Sequence, residues 1–202
     1  MKLFFDTETT GKADFRAPVD SPRQPHLVQL GALLTEDNGY ERAVLNCIIE
    51  PNGWEIPKEA ADIHGITTEC AKRCGVPLAS ALSMFSMFCE RADTIICHNP
   101  DFDYLIGRVA YHRLGKPHRF TGKTLRCTMK ETTDICRLPG PYGFKWPKLT
   151  EAFRHFIGKD MEGAHDALAD VRGCAAVFFA FEKMEADRIA KLKEDAATCQ
   201  AQ

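Results

Sequence analysis

The sequence has no long hydrophobic runs: none approaches the roughly 20 apolar residues that cross a bilayer, so a membrane-spanning protein is not expected. The apolar stretch after Lys2 stops at Asp6, which argues against a secretory leader. Paired cysteine motifs are missing as well. The nine cysteines are odd in number, and none stands in a Cys-x-x-Cys pair. Cys70 and Cys74 have no second pair to complete a zinc site. That usage argues against a disulfide scaffold and points to reduced thiols, several in the core, of a cytoplasmic protein. Internal repeats, low-complexity blocks and a clear linker are also absent. The 202 residues therefore read as one well-cored domain over 1–185 with a short polar tail, 186–202.

A strong net charge is the last thing missing, the sum being −2. The distribution is nevertheless uneven. Between Gly107 and Lys148, ten Lys and Arg accompany two acids, Glu131 and Asp134, a segment of +8 that leaves −10 for the remainder. Such a stretch suits a polyanion, and a solvated helix face and loop would read the same way. Tyr111, Phe120, Tyr142, Phe144 and Trp146 interleave with those charges. Some of these rings are candidate stacking surfaces for bases and others belong to the core.

What the chain does contain is concentrated at its start. Lys2 to Phe5 reads as a buried strand running into Asp6-Thr7-Glu8-Thr9-Thr10-Gly11. Strand side chains alternate, so Asp6 and Glu8 project to one side. Two neighbouring desolvated carboxylates repel unless a cation neutralises them. All-oxygen ligands favour Mg²⁺ or Mn²⁺ over zinc. Taken alone, Asp-x-Glu is more often an acidic turn after a strand.

The residues from Gly11 to His26, with three prolines, read as a long loop. Leu27–Leu34 is a second strand, Glu36–Gly39 an Asn-Gly turn and Tyr40–Ile49 a third strand, an antiparallel meander. Short helices follow over Pro57–His64 and Thr68–Arg73, then a longer one over Leu78–Glu90 with Leu82, Phe85 and Phe88 or Cys89 inward. Thr94–Cys97 is a buried strand, Asp101–Leu114 a helix stopped by Gly115, and Leu125–Met129 a short strand. Leu149–Phe156 is a helix with Leu149, Phe153 and Phe156 inward. Asp166 to about Ala190 is a long final helix whose Val177, Phe178, Phe179 and Phe181 pack on the sheet, before a fraying end. This order implies a mixed α/β sheet of five strands flanked by helices.

Two later segments carry further polar residues. His98-Asn99-Pro100-Asp101-Phe102-Asp103 marks a strand end meeting a helix start, a usual place for sites in α/β folds. Asp103 in the first turn can reach a metal, whereas Asp101 reads as a cap; for either alone, a helix-start acid is the simpler account. His165 and Asp170 lie five apart, about 140° around a helix, so they converge only if the helix begins at or just after His165. An imidazole there suits general-base work. Asp166 competes for the metal role, its alternative being a helix-start acid facing the dipole.

Asp6, Glu8, Asp103, His165 and Asp170 together resemble the DnaQ-like, or DEDDh, family of 3′→5′ exonucleases. The motifs Asp-Thr-Glu-Thr-Thr-Gly, His-Asn-x-x-Phe-Asp and His-x-x-x-x-Asp occur in family order. Ile63-His64-Gly65-Ile66-Thr67 and Lys148-Leu149 add to the likeness, which runs from Lys2 to about Ala180. The resemblance implies a ribonuclease H-like fold and two Mg²⁺ or Mn²⁺ ions. It implies that Asp6 bridges both ions, that Glu8 and Asp170 hold the ion that activates water, and that Asp103 completes the site. His165 would accept the proton of the attacking water. Positions matching Thr7, Glu59, His64 and Phe102 would surround the terminal nucleotide, with Thr9, Thr10 and Gly11 letting the backbone approach the 3′ end.

The expected activity is stepwise release of nucleoside 5′-monophosphates from 3′ ends of DNA, single-stranded or frayed. RNA as substrate and a catalytically silent nucleic-acid-binding or polymerase-associated module are the alternatives. A DNA polymerase is a candidate partner, but the charged end after Met184 contains no convincing clamp-binding peptide. A free-standing nuclease is favoured over a dedicated proofreading subunit, DNA repair and proofreading being the processes the resemblance suggests.

Overall fold

A computed structural model describes residues 1–200; residues 201 and 202, the last two of the expected tail, lie outside the described residues. Three antiparallel strands open the fold: β1 (Lys2–Thr9), β2 (Leu27–Thr35) and β3 (Glu41–Ile48). Helices α1 (Lys58–His64), α2 (Thr68–Cys74) and α3 (Leu78–Arg91) lead to β4 (Thr94–Cys97), which pairs parallel to β1. Helix α4 (Pro100–Arg113) then connects to β5 (Thr124–Cys127), parallel to β4. The strands lie in the order β3-β2-β1-β4-β5, the mixed five-stranded α/β sheet anticipated from the sequence.

Both faces of the sheet are covered, which is why all nine residues of β2 are buried. On one face Phe4 and Leu33 pack against Val171, Cys174 and Phe178 of the last helix, α8 (Ala167–Gln200). On the other, Leu3 and Phe5 pack against Leu82, Phe85 and Cys89 of α3 and Ile106 of α4. Cys89 fills the inward position and Phe88 is only half-buried. Burial of this kind stabilises by about 25 cal/mol for each Å² of apolar surface.

The β1–β4 ladder stops at the Phe4–Ile96 pair, while β1 continues along β2 to Thr9. Its last residues therefore border an open crevice at the strand ends. Into it point the start of α4, preceded by Asn99 at φ 78°, and the start of α8, preceded by His165 at φ 70°. Left-handed backbone is costly for a residue with a Cβ, and these two strained residues flank the crevice.

Several expectations need correcting. The fifth strand spans Thr124–Cys127, because Thr128 already opens α5 (Thr128–Glu131), followed by α6 (Thr133–Cys136). The stretch after it forms a small hairpin, β6 (Pro139–Gly140) with β7 (Gly143–Phe144), before α7 (Leu149–Ile157). Helix α8 runs beyond Ala190 to Gln200, its residues 186–197 exposed. The four apolar residues of α8 do not share one face. Phe178 meets the sheet, Val177 turns to Phe156 and Cys136, and the Phe181 ring lies 6.3 Å from that of Phe156. At 100° per residue consecutive side chains must diverge. Five of the cysteines (Cys89, Cys97, Cys127, Cys136 and Cys174) are buried free thiols. No helix among the described residues is long and apolar enough to cross a membrane.

Candidate active site

The strand alternation places Phe4, Asp6 and Glu8 on the α8 side of the sheet, and Leu3, Phe5, Thr7 and Thr9 on the α4 side. Asp103, in the first turn of α4, is only 2% exposed and accepts a 2.7 Å hydrogen bond from the Thr7 hydroxyl. Pro100 sits at the first helical position, where its missing N–H costs nothing. Asp101 faces outward and pairs with Lys130 at 2.9 Å.

Asp170 comes from the first turn of α8. Its Oδ2 accepts from the His165 backbone N–H at 3.2 Å, which folds the lead-in back over the helix start. Ligand-type atoms of Glu8, His165 and Asp170 all lie within 4.8 Å of one another. The five-residue separation thus closes in the way the helical angle demands, with His165 just outside the helix. Asp166 is engaged elsewhere. One oxygen accepts from Ala169 N–H at 3.0 Å and caps α8, and the other accepts from the Gln29 side chain at 2.8 Å.

Crowding of acids shows in their protonation. Burial first, then the charges of Asp103, Asp170, Glu8 and Asp166, holds the Asp6 carboxyl well above the usual carboxylate range. Glu8 is pushed up to about 8 by burial and then by Asp170, Asp103 and Asp166. Asp103 rises to about 7, burial outweighing the opposing hydrogen bond from Thr7. Burial also raises Asp170, against the His165 N–H. Asp6, Glu8 and Asp103, each raised in part by neighbouring carboxylates, with Asp170 and an imidazole beside them, fit a hard divalent cation as counter-charge.

Beside Glu8 opens a cavity of about 380 Å³ lined by Thr9, Thr10, Gly11, Lys12, Glu59, Ile63, His64 and Phe102, among others. Glu59, His64, Phe102 and Thr9 therefore share one pocket next to the carboxylates, whereas Thr7 is not in its lining and supports Asp103 from behind. The Thr9 hydroxyl donates to Gly11 O at 2.6 Å and shapes the loop at the pocket's mouth. His64 Nδ1 accepts from Ile66 N–H at 3.1 Å, so a neutral ring carries its proton on Nε2.

Sequence reasoning missed Gly31 and Gln29. Gly31 is the cross-strand neighbour of Asp6, and a Cβ there would stand 2.5 Å from Ala167 C and O. Only a residue without a side chain lets the start of α8 lie this close to β2. Gln29 accepts from Ala167 N–H at 3.2 Å while donating to Asp166, so β2 grips the helix terminus. A lone Gly or Gln inside an apolar strand was the available signal, with nothing to name its partner. The basic segment is also less free than its charge suggests. Arg126 is held by Glu131 and Glu182, Lys130 by Asp101 and Lys145 by Glu151.

The chain matches the RNase_T exonuclease family over residues 3–178. It is 29% identical over 188 residues to the Uncharacterized exonuclease CP81 of Escherichia phage 186, covering 90% of this chain and 88% of that protein. Its fold is similar to E. coli exonuclease I in complex with a dT13 oligonucleotide, at TM-score 0.73 and 18% identity, over 95% of this chain and 43% of that one. The zinc-bound form of the E. coli exonuclease I complex with single-stranded DNA matches at TM-score 0.70 and 21% identity, over 90% and 40%. The chain thus spans less than half the length of those solved proteins. With its five-stranded sheet and its acidic crevice, the chain belongs to the RNase_T exonuclease family, a DnaQ-like domain on a ribonuclease H-like fold.

Proposed function

We propose that this protein is a metal-dependent 3′→5′ exonuclease of the DEDDh type that removes nucleoside 5′-monophosphates from single-stranded or frayed 3′ ends of DNA. The observation that carries this reading is the meeting of Glu8, His165 and Asp170 within 4.8 Å, beside Asp6 and buried Asp103 and next to a nucleotide-sized pocket. Asp6, Glu8, Asp103 and Asp170 would hold two Mg²⁺ or Mn²⁺ ions. When bound, such ions supply Lewis acidity at the scissile phosphate and stabilise charge on the attacking and leaving oxygens.

The chain's own residues do the rest. The pocket formed by Thr9–Lys12, Glu59, His64 and Phe102 receives the terminal nucleotide and excludes water from its base. Thr7 fixes one oxygen of Asp103 through its hydroxyl. His165, exposed just outside the helix, takes the proton of the attacking water at an imidazole nitrogen. The His165 N–H bond to Asp170 and the Asp166 cap hold that lead-in against α8. Residues 1–185 carry this machinery, and 186–202 form an appended segment. DNA is favoured over RNA because the matched exonuclease I structures hold DNA oligonucleotides.

The test is degradation of 3′- and 5′-labelled single-stranded DNA and RNA of one sequence, with Mg²⁺, Mn²⁺ or EDTA. Stepwise, metal-dependent loss from the 3′ end, impaired by Asp6→Ala and by His165→Ala, is expected. An Asp6→Ala protein with wild-type turnover would overturn the assignment.

A further inference from the structure

The hairpin β6–β7 and the residues after it take no part in the hydrolytic site described above. Pro141 to Trp146 is an unbroken exposed run in which Tyr142 is fully exposed, Trp146 61% and Phe144 50% exposed. The other two rings of the basic segment, Tyr111 and Phe120, are each 3% exposed and belong to the core. Three large rings left in water on one short segment are unusual unless something covers them. The segment 137–148 contains Arg137, Lys145 and Lys148 and no acid.

These rings stand on a fixed support at the catalytic edge. Gly143 at φ 124° closes the hairpin, and Lys145 N–H donates to Leu138 O at 2.9 Å. The imidazole of His98 lies 3.0 Å from Pro147 O through Nε2 and 2.9 Å from Thr128 Oγ1 through Nδ1. His98 directly follows β4, five positions before Asp103, so the segment is tied to the strand end from which α4 departs. Since β1 and β4 run parallel, that end is also the edge carrying Asp6 and Glu8. Lys130 joins the two regions, its Nζ 5.9 Å from the Trp146 ring centre and 2.9 Å from Asp101 in the first turn of α4.

We infer that Tyr142, Phe144 and Trp146 form a stacking platform for unpaired bases lying 5′ of the nucleotide in the catalytic pocket, which makes the substrate single-stranded nucleic acid. The chemistry matches that occupant. Base faces stack on aromatic rings whatever the sequence, and Arg137 and Lys148 beside them supply charge for the phosphates, Lys145 being held by Glu151. A duplex hides its base faces and has nothing to offer these rings. The inference rests on the nuclease reading for its polarity, and its test separates the two.

The triple variant Tyr142→Ala, Phe144→Ala, Trp146→Ala is compared with wild type on two substrates. One is an oligothymidylate of about 20 nucleotides; the other is the p-nitrophenyl ester of thymidine 5′-monophosphate, which has nothing upstream to stack. The ratio of kcat/KM for the oligomer to that for the ester should fall about tenfold or more, carried by KM. An aromatic-retaining triple variant, Tyr142→Phe, Phe144→Tyr, Trp146→Phe, should keep the ratio near wild type. An unchanged ratio in the alanine variant would overturn the platform, as expected if a protein or a second copy of the chain covers the rings instead. Should wild type hydrolyse neither substrate, the nuclease reading fails. Anisotropy of the labelled oligomer then decides the platform alone, tenfold weaker binding by the alanine variant supporting it and equal binding overturning it.

Discussion

The two halves of β1 share one backbone and opposite energetics. Lys2 to Phe5 is hydrogen-bonded on both sides, to β2 and to β4 apart from Phe5, and buries its apolar side chains almost completely. The Phe4 ring meets Phe178 edge-on at 5.5 Å. Asp6 to Thr9 has only β2 beside it and carries two carboxylates held above their usual range. The first half supplies stability, and the second half spends part of it to keep like charges together. The carboxylates stay together because the core under Phe4 and the grip of β2 on α8 leave them no room to spread.

The largest expected effect comes from the polar half. Asp6→Asn should lower turnover by about 10³-fold or more while leaving the metal-free fold at least as stable, since it removes charge rather than packing. Steady-state kinetics beside a thermal melt checks both parts. Phe4→Ala should do the reverse. It costs about 3–5 kcal/mol of stability, measured by urea unfolding, and leaves activity per folded molecule largely intact at low temperature. Gly31→Ala joins the halves, because the added Cβ collides with Ala167. About 1–3 kcal/mol of stability and much of the activity should go together, as the start of α8 is pushed off β2.

Protonation sharpens the contrast. Glu8 at about 8 and Asp103 at about 7 hold protons in the folded state that the unfolded chain released near pH 4. A raised carboxyl therefore costs nothing below that pH, and its penalty grows as pH climbs to the folded value. His26, lowered to about 4 mainly by burial, acts with the opposite sign up to about pH 6.5, and above that its opposition to the acids ends. In EDTA, stability should fall by about 1–2 kcal/mol from pH 6.5 to 8, a figure discounted for the solvent reaching Glu8, and Glu8→Gln should flatten the slope. Melts across that window read it directly. The smallest effect belongs to Asp166→Ala, which removes the α8 cap and should cost about 1 kcal/mol of stability, again by urea unfolding.

The mixed sheet and its opening meander were legible because β1, β2 and β4 contain short apolar runs and the Asn-Gly turn marks the β2–β3 hairpin. Asp6 and Glu8 stood out through strand parity, and His165 with Asp170 through the angle a helix start must satisfy. Helices α5 and α6 and the β6–β7 hairpin were not legible, since elements of two to four residues are shorter than any periodicity. Nor were the partners of Gly31, Gln29 and Thr7. Each acts on a residue more than 90 positions away, through contacts that exist only once the sheet and helices meet. The split of the basic segment into ion-paired cations and an exposed aromatic hairpin was hidden for the same reason.

The most direct measurement is the melting temperature of wild type and Glu8→Gln, in EDTA and in Mn²⁺, at pH 8. Binding to the folded state alone stabilises by RT ln(1 + [L]/Kd), so saturating Mn²⁺ should raise wild type by several degrees. In EDTA the variant should melt at or above wild type, and Mn²⁺ should move it little. Equal Mn²⁺ shifts for the two proteins, or none for wild type, would contradict the claim that the carboxylates at the end of β1 are a metal site kept under charge repulsion.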